Sequence, residues 1–276
     1  MKIAVIGLGL IGGSMAKAVK QFTNDFVFGF DISDDVISKA ISDGTIDEKL
    51  TDSALALCDY VFIALYPQAT IDFILDKKDI FKPDAVIVDC CGVKQKIVDA
   101  VDSIIDGVKW NFIGGHPMAG KEVGGYDNSE SSLWQNAYFI LTPCRKSDDK
   151  VIKNTSDYIK NLGFKNITLS TPEHHDKVIA YTSQLPHVLA CAYVFNPMSR
   201  EHCGFSAGSY KDVSRVALIN ENLWTELFLD NKESLCDEID LLIKDLDSLK
   251  KFIESSDRDG LKEKLRTGRL IKTEIN

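Results

Sequence analysis

No stretch of roughly 18 consecutive apolar residues occurs in the sequence, so no membrane span is expected. There is no C-x-x-C pair either. The seven cysteines (Cys58, Cys90, Cys91, Cys144, Cys191, Cys203 and Cys236) are scattered and odd in number. That pattern reads as a reducing compartment, not as a disulfide framework or a metal site. The adjacent Cys90 and Cys91 read as packed thiols. Positive charge is in deficit: a net charge of −9 at pH 7 argues against nucleic acid, whose phosphates need a basic face. An anionic ligand must then be drawn in by a local cluster of cations. Repeats and low-complexity segments are missing. The apolar run in "KIAVIG" breaks into glycine too early for a signal peptide, so the expected location is the cytoplasm.

What is present is ordinary globular composition, 45% apolar and 26% charged, over 276 residues, enough for one large or two modest domains. The first 170 residues alternate short apolar runs ("KIAVIG", "DFVFGFD", "DYVFIAL", "DAVIVD", "NFIGG", "AYFILTP") with helical patterns such as "VKQKIVDAVDSII". Alternation of this kind predicts an α/β fold with a doubly wound, mainly parallel sheet. The runs are continuously apolar, as strands covered on both faces must be. After Ser170 the β-branched runs vanish. Leu235, Ile239, Leu242, Leu246, Leu249 and Ile253 then recur at spacings of 3 and 4, a seam suited to packing on another helix, of the same or a second chain. Pro186 should end or kink the helical stretch "DKVIAYTSQLPHVLACAYVF". The predicted domains are residues 1–170 and an all-helical 171–276.

The segment "KIAVIGLGLIGGSMAKAV" contains Gly7-x-Gly9-x-x-Gly12 between a predicted strand and a predicted helix, the context a dinucleotide-binding turn requires. Gly7 permits the tight turn, Gly9 clears space for a pyrophosphate, and Gly12 lets the helix lie against the strand. Leu10 and Ile11 open the helix, whose N-terminal N–H groups face the phosphates. Asp31 ends the next strand, nineteen residues beyond Gly12. A carboxylate there accepts from ribose hydroxyls and repels a 2′-phosphate, favouring NAD over NADP. The plainer alternative is a ligand-free turn in which Asp31 merely caps the helix starting near Ser33.

In "FIGGHPMAG" His116 stands in a glycine-rich loop after the fifth predicted strand, with little around it to pack against. Ligands of open α/β sheets collect at the carboxyl ends of strands. His116 is therefore predicted to face the nicotinamide and to take a hydroxyl proton as hydride leaves the same carbon. A histidine that simply caps a turn is the competing reading.

"GLGLIGGS", "GGHPMAG" followed by Glu122, "QLPHVLA" and "SYKDVSR…NLWTELFLDNKE" together resemble the prephenate/arogenate dehydrogenase family, in order and over nearly the whole chain. The resemblance implies a Rossmann domain joined to a helical domain through which two chains dimerise. It also implies NAD-dependent oxidative decarboxylation of a small molecule, prephenate or arogenate, on the route to tyrosine. His116 matches the family histidine that bonds the substrate hydroxyl, and Arg215 the arginine that binds a substrate carboxylate. Lys211 stands four residues before Arg215, on the same face of a helix; from the residues alone, a solvated face with Asp212 paired to Arg215 leads narrowly. His187 is placed by the resemblance in the substrate pocket, where composition alone would suggest an interior histidine. Glu122 matches a position at the pocket mouth and by itself reads as a surface charge. Trp224 matches a tryptophan reaching the neighbouring subunit, or equally a core residue.

Two departures stand out. Gly92 of "DCCGVK" replaces a serine that many members use to orient the histidine and touch the nicotinamide; a water or Lys94 could take that part. Gln184 replaces a histidine found in some relatives. No fused mutase or regulatory segment is expected in a chain of this length. Competing readings are a β-hydroxyacid dehydrogenase or imine reductase, for which Lys211 is the sole plausible catalytic lysine, and a nucleotide-sensing protein that has lost catalysis, for which Gly92 is the best support.

Overall fold

The computed structural model describes residues 1–275; Asn276, the end of the expected helical domain, lies outside the described residues. Eight strands form one sheet: β1 (Lys2–Ile6), β2 (Phe26–Phe30), β3 (Glu48–Lys49), β4 (Tyr60–Ile63), β5 (Val86–Asp89), β6 (Asn111–Pro117), β7 (Tyr138–Pro143) and β8 (Asn166–Leu169). Their order is β3-β2-β1-β4-β5-β6-β7-β8. All neighbours are parallel except β6 and β7. Helices α1 (Leu10–Phe22), α2 (Asp34–Ser42), α3 (Asp52–Leu55), α4 (Pro67–Lys77), α5 (Gln95–Asp102) and α6 (Asp149–Asn161) accompany them. Alternate residues of β1 enter opposite cores: Ile3 and Val5 join one apolar cluster, Ala4 and Ile6 the other. Both faces of the sheet are thus covered, which is why its strands read as unbroken apolar runs. The chain order reverses direction between β1 and β4, and a crevice opens beyond the carboxyl ends of the strands there.

From Pro172 onward every element is helical: α7 (Pro172–Ile179), α8 (Leu185–Val194), α9 (Gly208–Ser214), α10 (Glu221–Asp230), α11 (Lys232–Glu254) and α12 (Arg258–Glu274). Thr171 caps α7 by accepting the His174 N–H, and Pro172 fills the first turn, where no donor is needed. Between α7 and α8 the backbone widens into a π-turn, Ala180–Gln184, in which the Leu185 N–H reaches the Ala180 carbonyl. Pro186 then sits in the first turn of α8. The wide turn resolves the conflict a proline would create in a continuous helix.

The glycine-rich segment around His116 is not a loop. β6 runs through Gly114, Gly115 and His116 to Pro117, paired antiparallel with β7, with His116 opposite Ile140. The glycines serve packing: a Cβ on Gly114 would meet Thr142 Oγ1 at 2.2 Å, and one on Gly115 the Asp89 carbonyl oxygen at 2.4 Å. The short β3 shifts the numbering, so this is the sixth strand.

Because the Asp89 carbonyl belongs to a paired central strand and cannot retreat, Gly115→Ala should destabilise the fold by about 2–3 kcal/mol through overpacking. A urea midpoint indistinguishable from wild type would refute this account of the glycine.

Candidate active site

A cleft of about 710 Å³ lies between the two domains. Gly9, Leu10 and Ile11 form one wall, His116 and Gly92 the floor, and Gln184, His187, Arg215 and Trp224 the opposite side. Gly7 makes its turn at φ +83°, a conformation that favours glycine, and its N–H bonds the Phe30 carbonyl at 2.8 Å. A Cβ on Gly12 would strike the Gly7 carbonyl oxygen at 1.8 Å, so the start of α1 is pressed onto the turn. A Cβ on Gly9 would meet nothing within 4 Å: the space above this residue is open. Gly9 also caps α1 without any side chain, leaving the first N–H groups free toward that space. The carboxylate of Asp31 accepts from the Leu8 N–H at 2.8 Å and the Ser33 N–H at 3.0 Å. It ties the end of β2 to the glycine turn, and each oxygen keeps acceptor capacity for ribose hydroxyls. These features fit a bound dinucleotide.

His116 projects from the end of β6, half-buried. Burial is the main force that pushes its pKa well below 6.5, with the nearby Lys94 ammonium acting the same way, so the ring is neutral near pH 7. Its backbone is clamped at the preceding residue. Gly115 donates its N–H to Asp89 Oδ1 at 3.1 Å and accepts from Lys94 Nζ at 2.6 Å. Lys94 and Asp89 are both fully buried and ion-paired. Lys94 is therefore committed beneath the strand and makes no contact that could replace a serine at Gly92. A Cβ on Gly92 would lie 3.9 Å from His116 Nε2 and 3.4 Å from Leu227, so Gly92 sits beside the ring, within van der Waals reach of any side chain placed there. Cys90 and Cys91 also line the cleft, with their thiol pKa values pushed up by burial, which makes them packing groups and not thiolates.

Behind His116 stands a pair of residues that the sequence did not single out. His116 Nδ1 lies 2.9 Å from His175 Nε2, and His175 Nδ1 lies 2.7 Å from Asp176 Oδ1. Asp176 also accepts the backbone N–H groups of Lys94 at 2.8 Å and Gln95 at 2.9 Å. It thereby caps α5, whose own cap residue offers no side-chain bond.

On the far side, His187 Nδ1 sits 2.8 Å from the Ser183 carbonyl, which fixes its proton there and leaves Nε2 toward the cleft. Trp224 stacks on this ring, centroids 3.7 Å apart, within the same chain. Gln184 is buried and engaged: its Nε2 donates to the Leu227 carbonyl at 3.0 Å and its Oε1 accepts from Asn231 at 2.8 Å. Arg215 is ion-paired with Glu122 across the mouth of the cleft. The Glu122 backbone N–H and then the Arg215 guanidinium hold the Glu122 carboxyl below the usual range. Lys211 is exposed and does not line the cleft. Lys211 and Arg215 do lie one helical turn apart, since the Arg215 N–H bonds the Lys211 carbonyl at the end of α9.

The family model for the nucleotide-binding domain of prephenate dehydrogenase matches residues 15–168, and that for its dimerization domain matches 171–267. A cyclohexadienyl dehydrogenase of Zymomonas mobilis is 33% identical over 95% of this chain and 91% of its own. A prephenate dehydrogenase of Bacillus subtilis is 31% identical over 94% of this chain and 72% of its own. The crystal structure of prephenate dehydrogenase from A. aeolicus, in complex with hydroxyphenyl propionate and NAD+, superposes with a TM-score of 0.90 at 29% identity, covering 100% of this chain and 98% of that one. With a Rossmann domain, a helical partner domain and an ordered cleft between them, the chain belongs to the prephenate dehydrogenase family.

Proposed function

We propose that this chain catalyses the NAD-dependent oxidative decarboxylation of prephenate to 4-hydroxyphenylpyruvate. One observation carries the reading: the helix N-terminus at Gly9, Leu10 and Ile11 and the imidazole of His116 open into the same cleft. NAD held at Gly7, Gly9, Gly12 and Asp31 supplies the hydride acceptor. His116 Nε2 takes the proton of the substrate hydroxyl, which lets the carbon–oxygen bond gain double-bond character as hydride departs. Loss of CO₂ then makes the ring aromatic. The guanidinium of Arg215 binds a substrate carboxylate through donors not spent on Glu122. His187, held by Ser183 and Trp224, offers Nε2 to the second carboxylate. Gln184 shapes the wall and, being saturated by Leu227 and Asn231, does so without titrating. Gly92 leaves room beside the reacting carbon, and Glu122 holds Arg215 at the cleft mouth. Residues 1–170 and the helices that follow divide this work between cofactor and substrate.

The reading extends to a homodimer through the helical domain. Along α11, Ile243, Leu246 and Ile253 are all more than half exposed and lie on one face of the helix. An apolar stripe of that extent favours a second copy of the chain. No helix among the described residues is long and apolar enough to cross a membrane. All seven cysteines carry free thiols, which supports a cytoplasmic setting.

Reduction of NAD, followed by absorbance, should occur with prephenate; a trace seen only with arogenate would move the substrate to the amino compound, and none with either would refute the enzyme. His116→Asn should lose activity by about 10²-fold or more while NAD still binds. Because the base works unprotonated and its pKa is depressed, kcat/KM should stay level across neutral pH and fall only well below pH 6.5. An acid limb centred above neutrality would contradict this. Gly9→Ala should leave stability within about 0.5 kcal/mol yet weaken NAD binding about tenfold or more, as calorimetry can test.

A further inference from the structure

The hydrogen-bond chain behind His116 determines where its protons lie. Asp176 receives two backbone N–H groups from the start of α5, so its oxygens act as acceptors. His175 must then carry its proton on Nδ1, 2.7 Å from Asp176 Oδ1. Burial pushes His175 down in pKa, although Asp176 opposes it, and its ring is neutral; its Nε2 is therefore a bare lone pair. The groups facing His175 are Asp176 beside it, His116 from β6, Lys94 from the start of α5 and Asp89 from β5. At 2.9 Å, two facing lone pairs would repel, so His116 carries its proton on Nδ1 and leaves Nε2 unprotonated toward the cleft.

We propose that His175, oriented by Asp176, is the positioning residue of this active site: it fixes the tautomer of His116 and stabilises the imidazolium formed when Nε2 takes the substrate proton. The site thus resembles a carboxylate–imidazole relay with one ring inserted, in which the carboxylate orients and stays ionised. It also accounts for the tolerance of glycine at position 92, since ring orientation comes from the Nδ1 side. Nothing in this scheme requires His175 to touch substrate. It rests on His116 being the base.

Nitrogen-15 NMR of histidine-labelled wild-type protein with NAD should show His116 protonated on Nδ1 and bare on Nε2; the reverse tautomer would overturn the proposal without any variant. His175→Phe keeps a ring but no acceptor. Its kcat should fall about a hundredfold or more, with KM and NAD affinity within about threefold of wild type. The acid limb of kcat/KM should move to lower pH, because the imidazolium has lost its acceptor. His175→Gln presents a carbonyl oxygen to Nδ1–H and should recover most of the rate and the original limb. A folded His175→Phe enzyme with wild-type kcat and limb would overturn the proposal, as would His175→Gln no better than Phe. If His116→Asn itself turned over, the base assignment would fail instead.

Discussion

The carboxylate of Asp176 is the contact on which the arrangement of this protein depends. It comes from the first helix of the second domain and caps a helix of the first, taking two N–H groups that the sequence of α5 leaves without a local partner. A cap of this kind contributes about 1 kcal/mol on its own. Here it also fixes the approach of α7 to the end of β5, and with it the position of His175. A further strand of the same link runs through Asn231, whose amide donates to the Asp176 carbonyl and to Gln184. Domain docking, cleft shape and the placement of the ring behind His116 therefore rest on one connected group of polar contacts.

Support from beneath is of a different kind. Burying Lys94 and Asp89 together costs desolvation that their attraction offsets only when the remaining donors and acceptors are met. They are met by Gly115, whose N–H and carbonyl are both engaged, and by the Cys91 N–H. The result is a fixed backbone one residue before the imidazole. Small residues at Gly114 and Gly115 are the condition for this, since any side chain there would occupy the space of Thr142 or Asp89. Rigidity at His116 thus comes from close packing of backbone, not from bulk around the ring.

Much of this was legible in the sequence. The glycine turn and Asp31 follow from spacing and from the strand and helix on either side, because the turn needs particular residues at particular places. The helical character after Ser170 follows from periodicity alone. The extent of β6 was not legible: "GGHP" has the composition of a loop, and only pairing with β7 reveals a strand. β3 has only two residues, and β8 is a mostly exposed edge strand without the apolar run that marks the equally short β4 and β5. His175 and Asp176 were invisible for a similar reason. Nothing local in "PEHHDK" marks them: the partner of His175 is 59 residues away, and those of Asp176 across the domains are 82 and 81 away.

The stack of Trp224 on His187 has an optical consequence. Of the three tryptophans, Trp110 and Trp134 are sealed inside the first domain, while the third indole lies at the cleft against a ring whose charge depends on what surrounds it. Emission from that indole is sensitive to a cation in van der Waals contact, so the protein carries its own fluorophore at the place where a carboxylate would dock.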